Sequence, residues 1–319
     1  MPKDSRFTGF AIALAWPATY CRRPNGWYDP LANLFGISKH HYYMAGHAAL
    51  VLVDSQNKKC HYFDFGRYHA PFNFGRVRSA VSDHGLEVRT LPTISGDGQI
   101  IENFMEILTE LQTNAECHGE GNLYASYCPV NFAKAFKKAT HLQHISPIPY
   151  GPFQYKGSNC SRFVNDVIVA GDPTWKHVLW LKYLVPLTPT PLNNVNSLTN
   201  KVVLPKMLIN LPFSPQPIPD KKILKTTLFA PARHAKIPGA AQWLSGEGAG
   251  SWFHIEPEGS HFQISRFSPE GELECDGKFT PQNGSYFNLA STFSIGYLSH
   301  CHRVVINQNN QLIELKRIG

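Results

Sequence analysis

The 319-residue chain has no run of about 18 or more apolar residues, which excludes a membrane-spanning helix. No CxxC pair occurs among its seven cysteines (21, 60, 117, 128, 160, 275 and 301), so zinc-ribbon and thioredoxin patterns are absent. No phosphate-cradling loop is present: Gly246 to Gly250 lacks both a Lys-Ser/Thr ending and dinucleotide-binding spacing, and reads as a turn. A basic arm is missing too. The net charge of +7 divides into +4 over 1–186, +4 over 187–225 and −1 over 226–319, so no nucleic-acid partner is expected. Charged residues are only 17% of the chain, whereas hydrophobic residues are 43% and aromatics 12%. That composition builds a packed core and excludes disorder over the whole length.

The odd, scattered cysteines point to reduced thiols that act mostly as small buried hydrophobes, hence to a cytoplasmic setting. Near the N-terminus, Lys3 and Arg6 precede the apolar run from Gly9 to Ala15, but Trp16-Pro17 ends it with no cleavage site. The run is read as an internal first strand.

Ala45 to Val53 and Cys60 to Phe65 are β-rich and flank the polar DSQNKK turn, which predicts an antiparallel hairpin. Helical spacing covers Ile100 to Leu111. A second helix is expected over Val130 to Ala139, behind Pro129. A third runs over Ser158 to Ala170, capped by Ser158 or Asn159 and ended by Gly171 and Pro173. Eight prolines between Pro186 and Pro219 mark a connector, with an apolar patch at Val202 to Leu211 that packs on a domain. Short β-prone segments follow (Ser251–Ile255, His261–Phe267, Leu273–Phe279, Val304–Ile306, Leu312–Leu315), as in a small sandwich or barrel. The expected division is therefore 1–186, a proline-rich connector 187–225, and a β domain 226–319.

Cys160 opens a helix. A thiol in a first helical turn meets unpaired N–H groups and the positive end of the helix dipole, and both favour thiolate. A thiol nucleophile needs a base, and His47 starts a very apolar strand where a buried imidazole must be paired. If the hairpin closes around Gln56-Asn57, Asp64 lies opposite Ala49, on the same face as His47 and diagonal to it. Asp64 is then the residue that orients the imidazole, with His61 in reserve because a one-residue slip reverses the faces. Arg67, Arg76 and Arg78 could clamp an anionic substrate, or could form salt bridges with residues such as Asp83. Tyr43, beside Tyr42, could polarise a substrate carbonyl or pack at the rim. His300-Cys301-His302 cannot hold one metal ion on a strand, where neighbours face opposite ways.

Three features occur in order: the strand Gly46-His47-Ala48-Ala49-Leu50-Val51-Leu52-Val53, a polar residue on the next strand, and Asn159-Cys160-Ser161-Arg162-Phe163-Val164 on a helix. This order resembles the circularly permuted papain-like enzymes, the group of NlpC-related permuted amidases and lecithin:retinol acyltransferase, over about residues 8–185. Asp64-Phe65-Gly66-Arg67-Tyr68, Gly75-Arg76-Val77-Arg78-Ser79, Gly119 to Ser126 and Gly246 to Phe253 are similar to an uncharacterised bacterial family of the same type. The resemblance implies an α+β fold: a permuted papain-like domain with an antiparallel sheet and helices, followed by a small all-β domain. It implies a thiol hydrolase acting on an amide, peptide or ester through an acyl-enzyme on Cys160. Two alternatives stand beside it, a binding module on the same fold and a lipid-acting acyltransferase. No metal or organic cofactor is needed, and a protein partner could use the β domain.

Overall fold

The computed structural model describes residues 6–22, 38–39, 42–117, 119–151, 154–186, 188–206, 230–246 and 249–318. The first part runs β1 (Gly9–Trp16), β2 (Cys21–Arg22), β3 (Ser38–Lys39), β4 (Tyr42–Tyr43), β5 (His47–Asp54), β6 (Lys59–Gly66) and β7 (Phe74–Arg78). Then come α1 (Phe104–Thr113), β8 (Leu123–Val130), α2 (Phe132–Ile145), β9 (Ile148–Pro149), α3 (Cys160–Ala170), α4 (Trp175–Lys182), α5 (Pro191–Asn196) and β10 (Thr199–Leu204). The last part is all strand: β11 (Gln242–Leu244), β12 (Ser251–Glu258), β13 (His261–Phe267), β14 (Leu273–Pro281), β15 (Ser294–Ile295), β16 (Arg303–Gln308) and β17 (Gln311–Ile318).

The fold is α+β. A seven-stranded antiparallel sheet in the order β10-β8-β1-β5-β6-β7-β9 carries the first core. Central strands β1 and β5 are apolar on both sides because both faces are covered. Ala48, Leu50 and Leu52 pack with Phe163, Val164, Val167 and Ile168 of α3. Ala49, Val51 and Val53 pack with Phe104, Ile107, Leu108 and Leu111 of α1. Each buried Val, Leu or Ile contributes about 1.5–3 kcal/mol. The Gly9 to Ala15 run is thus a central strand, as its sequence suggests. The hairpin closes in the expected register, with Ala49 opposite Asp64.

Several boundaries move. Pro129 lies in β8 opposite Phe10, and the following helix is capped instead by Asn131, whose side chain accepts from the Lys134 N–H. The helix expected from Ile100 begins at Phe104, since Ile101 is held in a bridge with Ile94. Part of the proline-rich connector is ordered on the first sheet. Thr190 and Asn193 form a capping box with Pro191 in the first turn of α5, and β10 then pairs with β8. The rest of that connector, 207–225, lies outside the described residues. Helix α4 has no counterpart in the sequence reading.

The second sheet has the order β11-β12-β13-β14-β17-β16-β15, all antiparallel. It curls toward a barrel: Gln242 at one edge donates to the Phe293 carbonyl beside the other (3.2 Å), and Ser245 meets the Tyr297 hydroxyl at 2.8 Å. Its core holds Phe253, Ile264, Phe279, Ile306 and Leu315. Cys275 and Cys301 are joined as a disulfide, where cysteine spacing alone suggested reduced thiols. Cys21, Cys60, Cys117, Cys128 and Cys160 are free.

Candidate active site

Cys160 is the first residue of α3. Asn159 before it is extended, and its Oδ1 accepts from the Arg162 N–H at 2.8 Å, which starts the helix cleanly. The helix lies on one face of the sheet, while His47, at the start of β5, belongs with the other. They come together at the strand's beginning, where the His47 side chain and the Ala48 N–H act on the Cys160 sulfur and lower its thiol. Burial drives the Cys160 thiol upward, but the imidazole, the Ala48 N–H and the Ser161 hydroxyl outweigh it, and the thiol ends below its ordinary value.

His47 is 5% exposed. Burial pushes its imidazole down, yet the nearby Asp64 carboxylate and the Cys160 sulfur raise it to about 9. Both shifts favour the ion pair of thiolate and imidazolium over the neutral pair. Trp16, directly across from His47 in the β1–β5 register, stacks on the imidazole with ring centroids 6.0 Å apart and excludes water from one side. Its indole N–H is in turn held by Gln112 Oε1 at 2.8 Å.

Asp64 Oδ2 lies 3.5 Å from His47 Nε2, an ion-pair contact longer than a formed hydrogen bond. Asp64 is fully buried and remains ionised: burial raises its carboxyl, but Arg78 and His47 pull it far below the usual range. Arg78 grips it with two bonds, Nε to Oδ1 at 3.0 Å and Nη2 to Oδ2 at 2.6 Å, and the Tyr62 hydroxyl adds a third at 3.2 Å.

The remaining residues singled out by sequence divide. His61 is on the opposite face of β6, against Phe132 and Phe136 (5.6 and 5.1 Å between centroids), so it does not join the cluster. Arg76 is not available to clamp a substrate. Its guanidinium binds Asp83 through Nη1 and Nη2 at 2.9 and 2.8 Å, the salt bridge that was the alternative to a clamp. Arg67 sits over the Tyr150 ring at 5.0 Å, and Tyr150 is within electrostatic reach of Cys160. Tyr43 is half-buried in β4, paired with Cys21. Among the described residues no group of three or more His, Cys, Asp or Glu is arranged to hold a metal ion.

Sequence reasoning missed three neighbours. Trp16 was read only as the end of a strand. Tyr68 lies under Arg78, whose guanidinium carbon is 3.8 Å from the ring centroid. The signal for it was Gly66, two residues earlier: a Cβ there would run into the Tyr68 ring. Cys21 is a second thiol near Cys160; its Sγ reaches the Gly46 carbonyl at 3.5 Å, and burial, with the Cys160 charge, pushes it up to about 12. The two thiols thus shift in opposite directions, Cys21 up and Cys160 down.

A family model described as type VI secretion system effector TseH-like matches residues 11–177, and a model of the DUF6695 C-terminal domain matches residues 241–318. The crystal structure of the type VI secretion system effector TseH is similar at 18% identity, covering 59% of this chain and 86% of that one, with a TM-score of 0.37. No curated protein matches the chain. No described helix is long and apolar enough to cross a membrane.

Proposed function

The chain belongs to the type VI secretion system effector TseH-like family, and from that premise we propose that it is a thiol-dependent hydrolase of amide or peptide bonds, with esters as a further substrate class. The observation that carries this reading is the buried Cys160 at a helix start, its thiol lowered by His47. The strand-borne histidine preceding the helix-borne cysteine supports a circularly permuted papain-like arrangement.

The chemistry follows from the pair. The Cys160 thiolate attacks the substrate carbonyl carbon and forms a C–S bond, and the carbonyl oxygen gains negative charge. The Cys160 backbone N–H, free of an intrahelical partner in the first turn, donates to that oxyanion. The His47 imidazolium gives its proton to the leaving amine as the C–N bond breaks, leaving an acyl-enzyme. Neutral His47 then takes a proton from water, hydroxide attacks the thioester, and the thiolate departs. Asp64 keeps the ring oriented and stabilises its protonated form. The steps need no metal or organic cofactor. Action outside the producing cell fits an effector family, and the Cys275–Cys301 disulfide fits an oxidising compartment better than the cytoplasm.

The test is alkylation of Cys160 by iodoacetamide as a function of pH, with amide and fatty-acyl ester substrates profiled in parallel. The wild type is expected to label with a midpoint below the free-thiol value of about 8.5, His47→Ala to lose that advantage, and Cys160→Ala to lose turnover. Labelling no faster than a free thiol would sink the nucleophile and leave a binding module. Acyl-chain transfer onto Cys160 with no amidase turnover would select the lipid-acting acyltransferase.

A further inference from the structure

We propose that the C-terminal β domain completes the thiol site, through a closed ring of six side chains, five of them buried and Glu274 partly so, that fixes the loop after Asp64, with His69 and Ser251 as its positioning residues. The proposal rests on the reading of Cys160 and His47 given above and deepens it.

The ring runs across both domains. Arg76 Nη2 is 3.1 Å from His69 Nδ1, and a guanidinium can only donate, so Nδ1 accepts and the proton sits on Nε2. His69 Nε2 then donates to Ser251 Oγ at 2.6 Å, and that hydroxyl donates onward to Glu274 Oε2 at 2.8 Å. Arg266 Nε stands 2.7 Å from the same carboxylate oxygen, and its Nη2 donates to Asp83 Oδ1 at 3.1 Å. Asp83 returns to Arg76 through the two bonds already described. Arg76, His69 and Asp83 come from the first domain; Ser251, Glu274 and Arg266 come from β12, β14 and β13. Each of the four donor side chains meets an acceptor in the ring. Five of the six links are hydrogen-bonded and the Arg266–Glu274 link is an ion pair without a formed hydrogen bond at Nε; a buried network holds its members rigidly where its bonds are made.

What the ring holds is the loop lining the site. His69 has a left-handed backbone (φ 45°), a conformation that surrounding contacts must maintain in a residue with a Cβ. Its N–H donates to the Ala249 carbonyl at 3.1 Å, and Tyr68 forms a parallel bridge with Ala249. Gly246 presses so closely on the His69 backbone that a Cβ there would lie 2.8 Å from its nitrogen. On the other side, the Tyr68 carbonyl accepts from Arg76 Nε at 2.8 Å, and its ring lies under Arg78, the residue that grips Asp64. The path from Ser251 to the imidazole partner is therefore continuous: Ser251, His69, the Tyr68 backbone and ring, Arg78, Asp64. With the ring cut, Arg78 and Asp64 lose their fixed support, and the thiolate–imidazolium pair weakens without any change at Cys160 or His47.

The experiment uses the full chain and the Cys160 alkylation–pH profile, which needs no substrate and reports only folded protein once normalised to the folded fraction from thermal melts. Ser251→Ala removes two ring bonds with little change in volume, and Arg266→Met cuts the ring elsewhere. Lys278→Ala, which breaks the exposed Lys278–Glu258 pair (2.6 Å) of the same domain, is the control. Both ring variants are expected to move the alkylation midpoint up by about one pH unit, a roughly tenfold loss of thiolate below it, with the control unchanged. A wild-type midpoint in both folded ring variants overturns the proposal and leaves the thiol site standing. A wild-type protein that itself labels like a free thiol overturns both together.

Discussion

Two buried histidines, His47 and His69, sit beside buried Asp–Arg pairs built from alternate residues of one strand, and they take opposite charge states. Arg78 binds Asp64 near His47; Arg76 binds Asp83 near His69. Burial lowers both imidazoles. His47 recovers, to about 9, because it faces a carboxylate and a thiolate. His69 faces Arg76 and Arg266, and is driven well below its ordinary value. The residue type and depth are the same, so the sign of the partner decides. One histidine holds a proton, as its proposed role requires. The other is a neutral strut, acceptor on one nitrogen and donor on the other.

The sharpest way to break this comparison is to neutralise each aspartate. Asp64→Asn is expected to lower turnover by about 10²–10⁴-fold and to return the His47 imidazole toward its ordinary value. Asp83→Asn leaves Arg76 without a carboxylate and Arg266 with Glu274 alone, and is expected to cost more stability, about 3–5 kcal/mol. Urea unfolding paired with the Cys160 alkylation profile separates them. If Asp83→Asn alters the profile in the folded protein more than Asp64→Asn does, the roles assigned to the two clusters are reversed.

A smaller effect appears in pH-dependent stability, and its sign differs between the two sites. His69 is neutral when folded and binds a proton when unfolded below about 6.5. Its contribution is present above that pH and is lost as pH falls, by up to about 1.4 kcal/mol per unit. His69→Gln should flatten the acid limb measured by urea midpoints between pH 5 and 7. His47, raised to about 9, stabilises fully below its unfolded value and loses that contribution as pH rises through about 9. The depressed Cys160 thiol contributes the opposite slope and offsets part of that loss in the wild type. Cys160→Ala removes the compensation, and its stability should then fall as pH rises toward 9. A flat alkaline limb in that variant would show that Asp64 alone does not hold the His47 proton.

The comparison also explains which parts were legible in the sequence. The hairpin register followed from a polar turn between two apolar strands, and it placed Asp64 on the His47 face and His61 away from it. The capping asparagine and the thiol behind it were local patterns. Arg76 and Arg78 are two residues apart on one strand and look alike in sequence; their division of labour depends on Asp64 and Asp83, which reach them through tertiary pairing. Ser251 and Glu274 were unreadable as partners of His69 because they arrive from a separate sheet more than 180 residues later. The Cys275–Cys301 disulfide was hidden for a related reason: scattered cysteines say nothing about which strands a barrel brings together. Proline count misled at Pro191, where the ring's fixed φ starts a helix.

The finest distinction is between two helix caps of the same chemistry. Asn131 and Asn159 each accept from an N–H three residues on, at 3.0 and 2.8 Å, and open α2 and α3. Replacing either by alanine should cost about 1 kcal/mol of stability. Only Asn159 precedes the proposed nucleophile. Its loss frays the turn that directs the Cys160 backbone N–H and the helix dipole at the sulfur, so Asn159→Ala should slow Cys160 alkylation several-fold at neutral pH, while Asn131→Ala should leave it unchanged at equal stability. Equal rates in the two variants would mean that His47 and the Ala48 N–H hold the thiolate unaided, with the helix start serving only to place the sulfur.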